Sequence, residues 1–421
     1  MISAEMQSDF DFDRDGFQLA LALLEEHFSA TGEPLPHGVP FDLPTSLPDH
    51  GIGGHAALEA LAPIALAGAA RLRHPGFLAH MDPPTPWFTW ASQLWAAALN
   101  QNLLHPETAP AARPLELRAI EWLAPFFGMT GGHLVPGSTI ANLTALWAAR
   151  ELRGVEEVVA SEAAHVSVRK AASILGLRYR AVPVDSCQRL CPDALEDVSR
   201  SAVVLTAGTV AAGAVDPVQA GATAAWRHVD AAWAGPLRLS PVHSGVLDGI
   251  ETADSVAFSA HKWLFQPKEC AAVLFADTVA AHEALAFGGG YLAVANVGLL
   301  GSHGASALPL VATLLAWGRA GTARCIERCM ALAADLAQLV REREELELFT
   351  EPMTGVVVWR PLRADARRVR ERLDGAFVSL TQLGGETWLR SVPANPMADP
   401  GLVVDRVLEA KRELGELRAP E

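Results

Sequence analysis

The sequence predicts an α/β protein whose main domain is a mostly parallel sheet with helices on both faces. Between about residues 130 and 275, short β-favouring runs alternate with helical segments, the pattern typical of such a sheet. At 421 residues, half of them hydrophobic, the chain can bury a large core. Near residue 308 a long helix leads to two strands flanked by charged helices. The change from alternating strands and helices to this arrangement predicts a smaller C-terminal α+β domain.

The N-terminal segment is predicted to be a helical arm. Residues 10–30 have apolar residues at helical spacing, and residues 31–55 are rich in Pro, Gly and His, which favours an extended chain. Because this helix is far from the rest of the core, we expect its apolar face to pack on a neighbouring chain. The sequence thus divides into an arm (1–75), a large domain (76–307) and a small domain (308–421).

The large domain begins with two predicted amphipathic helices, 88–104 and 114–127. The predicted strands follow at 157–160, 179–184, 202–206, 227–230, 255–259 and 270–275. Helices are predicted between them, for example at 141–152 and 164–175. In the small domain the predicted strands are 355–360 and 387–392.

The charge of the chain argues against a nucleic-acid partner. There are 33 basic and 48 acidic residues, so the formal net charge is -15 and no basic surface is expected. The first residues are acidic where a secretion signal would be basic and then apolar, and no uncharged run is long enough to span a membrane. We therefore expect a cytoplasmic protein without a membrane partner. The five cysteines are interpreted as ordinary thiols, since no histidine cluster completes a metal site.

The segment around Lys262 carries the candidate nucleophile. A β-favouring run ends at Ser259 and is followed by His261, Lys262 and aromatic residues, so one amine lies at a strand end in apolar surroundings. Burial disfavours the ammonium form, and the neutral amine can form an imine with an aldehyde.

A glycine-rich turn is predicted at 131–137, and it leads directly into a predicted helix at Ser138 and Thr139. Free backbone amides, two hydroxyls and the helix dipole would converge there on a phosphate. The alternative is that both residues only cap the helix.

Two further candidates follow predicted strands. Asp230 ends an apolar strand, and a buried aspartate needs a positive partner such as a protonated pyridine nitrogen; the small Ala232 would leave room for a flat ring. His165 stands at the start of a helix, where an imidazole could stack on a ring or carry a proton. Taken singly, a capping aspartate and a structural histidine are the alternatives.

A proline-rich loop, 74–87, holds His80, Met81 and Asp82 at low entropic cost. These residues either line a pocket or belong to a rigid surface turn.

The order of these features along the chain resembles that of a known family. The phosphate turn, the histidine, the aspartate and the lysine follow successive strands whose loops converge at their carboxyl ends. The chain resembles the fold-type I pyridoxal 5'-phosphate (PLP) enzymes and, among them, the group II amino-acid decarboxylases. That group includes the aromatic amino-acid, glutamate, cysteine-sulfinate and diaminobutyrate decarboxylases. The motifs are 137–150, 164–165, 206–209, 228–235 and 260–264, and the resemblance extends from about His74 to beyond Asn395.

The resemblance implies a seven-stranded sheet, PLP as the cofactor and a homodimer with the site at the subunit interface. Lys262 would form the internal aldimine, and Asp230 would pair with the pyridine nitrogen. His165 would stack on one face of the ring, and Ala232 would pack on the other. The remaining cofactor contacts would come from Ser138, Thr139, Thr206, Ser259 and His261, and the substrate would face His80, Met81 and Asp82.

The implied reaction is the decarboxylation of an L-amino acid to an amine, through an external aldimine and a quinonoid intermediate, by a carboxy-lyase. The loop that carries a protonating tyrosine in relatives is shortened here, and Tyr291, beside glycines 288–290, is the candidate for that group. If neither Tyr291 nor His165 delivers the proton, the alternatives are aldehyde-forming decarboxylation with deamination, transamination or carbon–carbon cleavage. A non-catalytic PLP-binding homologue is a further alternative, against which the intact Lys262, Asp230 and His165 argue.

Two residues bear on the choice of amino acid. A negative Asp82 favours an amino or hydroxyl group over a second carboxylate, which argues against glutamate and aspartate as substrates. Arg390, in a C-terminal strand, either binds a carboxylate or forms an ion pair at the seam between the domains.

Overall fold

The computed structural model describes residues 10–36, 38 and 41–416. Residues 1–9, 37, 39 and 40 of the predicted arm, and residues 417–421 of the predicted small domain, lie outside the described residues. Within the arm, helix α1 spans Arg14–Ser29 and helix α2 spans Gly54–Ala65, and neither helix has a buried residue. The arm therefore presents apolar side chains outward.

A seven-stranded sheet forms the centre of the large domain, in the order β1-β7-β6-β5-β4-β2-β3. Strand β7 runs antiparallel to both of its neighbours, and the pairs from β6 to β3 are parallel. The predicted α/β class with a mostly parallel seven-stranded sheet is thus confirmed. The strands are β1 Gly131–Val135, β2 Glu157–Ser161, β3 Arg178–Val182, β4 Ser201–Thr206, β5 Trp226–Asp230, β6 Ser255–Phe258 and β7 Ala271–Phe275.

Helices cover both faces of this sheet because successive strand residues point to opposite sides. On β2, Val158 belongs to a core that includes residues of α5, α6 and α7, whereas Val159 belongs to a core that includes residues of α4. The helices are α3 Trp87–Leu99, α4 Ala112–Leu123, α5 Ser138–Arg153, α6 Val166–Ile174 and α7 Thr278–Ala284.

A short hairpin follows α7. It pairs β8, Ala286–Phe287, with β9, Asn296–Val297, and Tyr291 lies in the loop between the two strands.

The C-terminal part begins with helix α8, Ala307–Arg341, which is interrupted at Gly318, where φ is +58°. A second, antiparallel sheet follows in the order β10-β11-β13-β12. The remaining elements are β10 Leu346–Leu348, β11 Val357–Pro361, α9 Ala366–Glu371, β12 Ser379–Leu383, β13 Glu386–Ser391 and α10 Pro400–Glu416. The segment before α3 meets this sheet through a β-bridge between Phe77 and Phe377.

The glycine-rich stretch before α5 differs from the prediction. It was expected to be a turn, but Gly131–Val135 forms strand β1, whose partner β7 lies far away in the sequence. Gly132 has φ +154°, and a Cβ atom there would lie 2.0 Å from the Val273 carbonyl oxygen. The close strand pairing therefore accounts for a glycine that looked like part of a loop.

Candidate functional site

The carboxyl ends of three neighbouring strands bring the candidate residues to one edge of the sheet. Strand β4 ends at Thr206, β5 ends at Asp230, and β6 leads through Ser259 into the turn that carries Lys262. Thr206 is paired in register with Asp230. Because parallel strands end at a common edge, residues that are distant in sequence meet there.

The Lys262 amine lies among charged side chains in a largely buried turn. Burial lowers the pKa of Lys262, and the nearby Lys268 and Arg390 lower it further, whereas Asp230 and Asp82 act in the opposite direction. A lower pKa increases the fraction of neutral amine, which is the nucleophilic form.

The Asp230 carboxylate is buried and held by two hydrogen bonds. The side-chain amide of Asn142 donates to Oδ2 at 2.8 Å, and the backbone N–H of Ala232 donates to Oδ1 at 3.1 Å. Among the described residues, no arginine or lysine forms an ion pair with Asp230. A buried carboxylate of this kind is stabilised by a positive partner, so the site favours a ligand that presents one.

A polar recess lies where α5 begins. The hydroxyls of Ser138 and Ser259 are 2.7 Å apart, and the α5 N-cap, Gly137, provides no side-chain cap. His261 borders the same recess: its Cε1 lies 3.9 Å from the position that a Cβ atom on Gly137 would take. Its Nδ1 is buried without a partner in the described part of the chain, and burial lowers the pKa of His261 to about 4. Unpaired hydrogen-bonding groups at a helix N-terminus suit a phosphate.

His165 and Ala232 lie near the ends of β2 and β5. His165 caps α6, and its Nδ1 accepts a hydrogen bond from the Ser167 backbone N–H at 3.2 Å. Burial lowers the pKa of His165, against the influence of Asp230. The carbonyl of Ala232 accepts from the Ser259 N–H at 3.3 Å, so Ala232 links Asp230 to the recess at α5.

The two candidate threonines differ in exposure. The Thr206 hydroxyl is buried and has no partner within the described ranges, so it is free to bind a ligand. Its backbone N–H donates to Asp216 at 2.7 Å, and burial raises the pKa of Asp216 to about 6. Thr139, in the first turn of α5, is exposed.

The proline-rich loop contributes residues with different surroundings. Met81 is buried in the main core, whereas His80 is exposed and has φ +59°, a strained backbone for a non-glycine residue. Asp82 forms an ion pair with Lys268. The charge of Asp82 is therefore largely balanced, which removes the reason to expect a preference against acidic substrates.

Arg390 is buried, and none of the described carboxylates pairs with it. Only 5% of the residue is exposed; its Nε donates to the Val210 carbonyl at 2.5 Å and one terminal nitrogen donates to the Ser379 hydroxyl at 3.2 Å. No salt bridge of Arg390 exists in the described residues, so the ion pair considered at the domain seam is not formed. Burial lowers the pKa of Arg390 to about 10, which leaves the guanidinium charged at neutral pH.

Tyr291 is not brought together with these groups. The residue is 75% exposed on the β8–β9 hairpin, and no hydrogen bond joins it to the site in the described structure.

Several polar residues at the site were not singled out from the sequence. Asn142 holds Asp230, and Ser167 bonds His165. Asn142 follows Ser138 by one helical turn, so both side chains lie on the same face of the helix. A polar residue at that spacing on a buried helix could have been recognised from the sequence as a second site residue. Nothing local marks Lys268 as the partner of Asp82, because the two are 186 positions apart.

The arrangement fits PLP. The Lys262 amine forms no hydrogen bond or ion pair within the described ranges, and it matches an aldehyde. The buried carboxylate of Asp230 matches a pyridine nitrogen, and the recess at Ser138 matches a phosphate. The orphaned Nδ1 of His261 and hydroxyl of Thr206 are buried polar atoms that a ligand would satisfy.

Comparison with known proteins also supports a pyridoxal-dependent enzyme. A family model described as the pyridoxal-dependent decarboxylase conserved domain matches residues 41–361. The chain is 31% identical to L-2,4-diaminobutyrate decarboxylase of Rhizobium meliloti (strain 1021), with 87% of this chain and 84% of that protein covered. It is 27% identical to aspartate 1-decarboxylase of Aliivibrio fischeri, with 93% and 88% covered. The crystal structure of Oryza sativa TDC with PLP and tryptamine matches with a TM-score of 0.87 and 24% identity, over 96% of this chain and 98% of that one, which shows a shared fold.

Proposed function

The chain belongs to the pyridoxal-dependent decarboxylase family, and from this premise we propose that it removes the carboxylate of an L-amino acid as carbon dioxide and leaves an amine. The family match confirms the resemblance inferred from the motifs, with PLP as the cofactor and a carboxy-lyase activity. The observation that carries the proposal is the convergence of Lys262 and Asp230 at one edge of the sheet. When bound, PLP supplies an electron-withdrawing ring that stabilises the electron pair left on Cα as carbon dioxide departs.

We assign the cofactor contacts as follows. The neutral amine of Lys262 would attach the aldehyde, and Asp230 would hold the protonated pyridine nitrogen. Ser138, Ser259 and His261 would bind the phosphate at the start of α5, with Thr139 at its exposed rim. The ring would lie between His165 and Ala232, and Thr206 would offer its free hydroxyl to the ring's edge.

Arg390 is proposed to bind a carboxylate of the substrate. This guanidinium is buried and pairs with no carboxylate in the described structure, so it favours an anionic ligand, and its donors have the geometry that a carboxylate accepts. His80, Met81 and Asp82 remain the proposed substrate-side residues. Because Asp82 is paired with Lys268, both acidic and basic side chains of an amino acid are compatible with this wall.

Tyr291 and His165 remain the two candidates for protonating Cα. Tyr291 is exposed in the hairpin loop, directly after three glycines. It would therefore act only after the loop moves or across a subunit boundary. Lys262 lies close enough to His165 to lower its pKa.

We also propose a homodimer. Large apolar side chains are exposed on α1 and α3, including Leu21 (65%), Trp95 (61%) and Leu99 (64%). Trp95 and Leu99 are four residues apart and share one helix face, which is typical of a protein interface. In the described part of the chain no helix is long and apolar enough to span a membrane. A cytoplasmic location is proposed on the support of five cysteines that are all free.

The proposed reaction is tested by product analysis. PLP-loaded protein is incubated with a panel of L-amino acids that includes 2,4-diaminobutyrate, aspartate and tryptophan, and carbon dioxide and the organic product are measured. We expect carbon dioxide and an amine in equal amounts from at least one member. An aldehyde with ammonia, a keto acid without gas, or bound PLP without any turnover would each contradict the proposal.

Substitution of the lysine tests its role. Lys262→Ala should lower carbon dioxide release by more than about a thousandfold, because the nucleophile is lost. Borohydride reduction followed by peptide mass analysis should leave the cofactor's mass on Lys262 of the wild type and nowhere on the variant. Lys411→Ala, on α10 where the amine pairs with Glu345, is the matched control and should leave both results unchanged.

A further inference from the structure

A continuous line of hydrogen bonds runs behind the candidate site, from β5 and β6 through α5 to α6. Its inner members are almost completely buried, with no more than 4% of any residue exposed, and His165 at its end is exposed. The donor–acceptor distances lie between 2.7 and 2.9 Å. The line passes from Trp226 through Ser255 and His228 to Asn142, and from Asn142 to both Asp230 and Ser167, which bonds His165.

The direction of each bond can be worked out from Asp230. A carboxylate can only accept hydrogen bonds, so Asn142 must turn its NH₂ group towards Asp230. Its Oδ1 then faces Nε2 of His228 at 2.9 Å, and that nitrogen must carry a hydrogen. Burial lowers the pKa of His228 to about 4, so the ring is neutral and Nδ1 is an acceptor.

The other end of the line is consistent with this direction. Nδ1 of His228 must receive its hydrogen bond from the Ser255 hydroxyl, at 2.9 Å. The Ser255 oxygen in turn accepts from the indole N–H of Trp226, at 2.8 Å, and an indole N–H can only donate. A group that only donates and a group that only accepts thus stand at opposite ends of one consistent chain. His228 and Ser255 are also paired in register on neighbouring strands, which aligns their side chains.

A branch of the same chain sets the state of His165. The second amide hydrogen of Asn142 goes to the Ser167 hydroxyl at 2.9 Å, so the hydroxyl hydrogen is free to bond Nδ1 of His165 at 2.7 Å. The Ser167 backbone N–H points at the same Nδ1. With two donors directed at Nδ1, a neutral His165 carries its hydrogen on Nε2.

We propose that Asn142 is the positioning residue of this site: its one amide both holds the Asp230 carboxylate and, through Ser167, keeps His165 in the Nε2–H form. His228, Ser255 and Trp226 support Asn142 by fixing which way its amide faces. The Asp230 carboxylate is thereby held in place by a hydrogen bond where a protonated pyridine nitrogen could pair with it, and His165 has a hydrogen on Nε2 rather than a lone pair. The inference rests on the proposed function. It adds the residues that hold the Asp230 carboxylate in place and fix the tautomer of His165.

Two variants separate the branches. Asn142→Leu removes both donors at nearly constant volume, so it should raise the dissociation constant for PLP at least about tenfold and shift the pH midpoint of the bound cofactor's visible absorbance. Ser167→Ala leaves the bonds to Asp230 intact, so the dissociation constant should stay within about twofold. It should nevertheless lower kcat without raising KM and move one limb of the pH–rate profile, because the His165 tautomer loses the hydroxyl donor and keeps only the longer bond from the backbone N–H of residue 167.

The controls keep the test decisive. Thr144→Val removes another buried hydroxyl of α5, one that bonds only the Ile140 carbonyl in the described structure, and should change none of these quantities. If Asn142→Leu does not fold, Asn142→Ser replaces it; a hydroxyl has one hydrogen for two acceptors, so PLP affinity should still fall.

The outcomes distinguish this inference from the proposed function. The inference is overturned if the Asn142 variants bind PLP as the wild type does, or if Ser167→Ala weakens PLP binding as much as they do. If the wild type itself neither binds PLP nor releases carbon dioxide, the proposed function fails first.

Discussion

Two further cations, Lys268 and Arg390, lie near Lys262 and help to keep its amine neutral. They are not equivalent. Lys268 is exposed and its charge is balanced by Asp82, whereas Arg390 is buried and has no acidic partner in the described residues. Because burying an unpaired charge is costly, a guanidinium kept in this state is more consistent with ligand binding than with stability.

The role of Arg390 leads to a prediction about substrate affinity. Arg390→Met should raise KM for the amino-acid substrate by about 10- to 100-fold, the loss expected for a charge-assisted hydrogen bond to a carboxylate. The dissociation constant for PLP should change little, since the cofactor contacts are assigned to other residues. Arg360→Met, which removes an arginine paired with Glu347 on the small sheet, is the control. An unchanged KM in Arg390→Met would exclude a carboxylate contact.

Among the elements, α5 has the widest influence on the site. Its first residue, Ser138, faces the proposed phosphate position, and one turn later Asn142 reaches Asp230. Residues four apart lie on the same face of a helix, so a single rigid element sets the distance between the two ends of the cofactor.

A histidine pair joins two other elements, β1 and α7. Nδ1 of His133 lies 3.2 Å from Nε2 of His282, so one ring donates and the other accepts, which requires at least one neutral ring. Burial lowers the pKa of His133 to about 3, and the nearby His282 and His303 lower it further. Glu116 lines the same small cavity.

The pair predicts a dependence of stability on pH. The folded pKa of His133 lies below the ordinary value of 6.5, so the unfolded chain takes up a proton that the folded chain does not. This contribution to stability is present above pH 6.5 and is lost as the pH falls towards 3. Urea unfolding of His133→Gln should give a free energy of unfolding that falls less steeply than in the wild type between pH 6.5 and 4, by up to about 1.4 kcal/mol per pH unit. His50→Gln, at an exposed position of the arm, should leave the slope as it is, and equal slopes for all three proteins would refute the prediction.

At the scale of the whole molecule, the arm and α3 have exposed apolar residues that the described part of the chain does not cover. Helices α1 and α2 contain no buried residue, and Trp87, Trp95 and Leu99 of α3 are each more than 60% exposed. We propose that the chain divides into an arm (1–75), a large domain (76–307) and a small domain (308–421). Phe77, at the start of the large domain, forms a β-bridge with Phe377 of the small domain. An arm without a core of its own gains stability by packing on a second chain.

The homodimer can be tested by one charge substitution. Wild type should sediment with about twice the chain mass of 44.7 kDa, and Trp95→Glu should shift the population towards the single chain, because a carboxylate cannot be buried unpaired in an apolar interface. Val242→Glu, at an exposed apolar residue outside the arm and α3, should remain dimeric. A wild type that sediments as a single chain at micromolar concentration would rule out the proposed dimer.

The sequence by itself determined the α/β class, the family and the small set of residues that includes Lys262, Asp230 and His165. These could be identified because each follows a β-favouring run, and the carboxyl ends of parallel strands meet at one edge whatever the connecting loops do. Ser138 was found for a similar reason, since a helix start after glycines is a local pattern.

Only the tertiary structure decided how those residues are held and charged. Lys268 balances Asp82, Arg390 has no acidic partner among the residues that the structure describes, and Asn142 bonds both Asp230 and Ser167. All three facts depend on contacts between segments far apart in the chain. The same is true of β1, which looked like a turn until its pairing with β7 was known. Local patterns predict elements and the ends of strands, but hydrogen-bond partners and buried charges are properties of the folded whole.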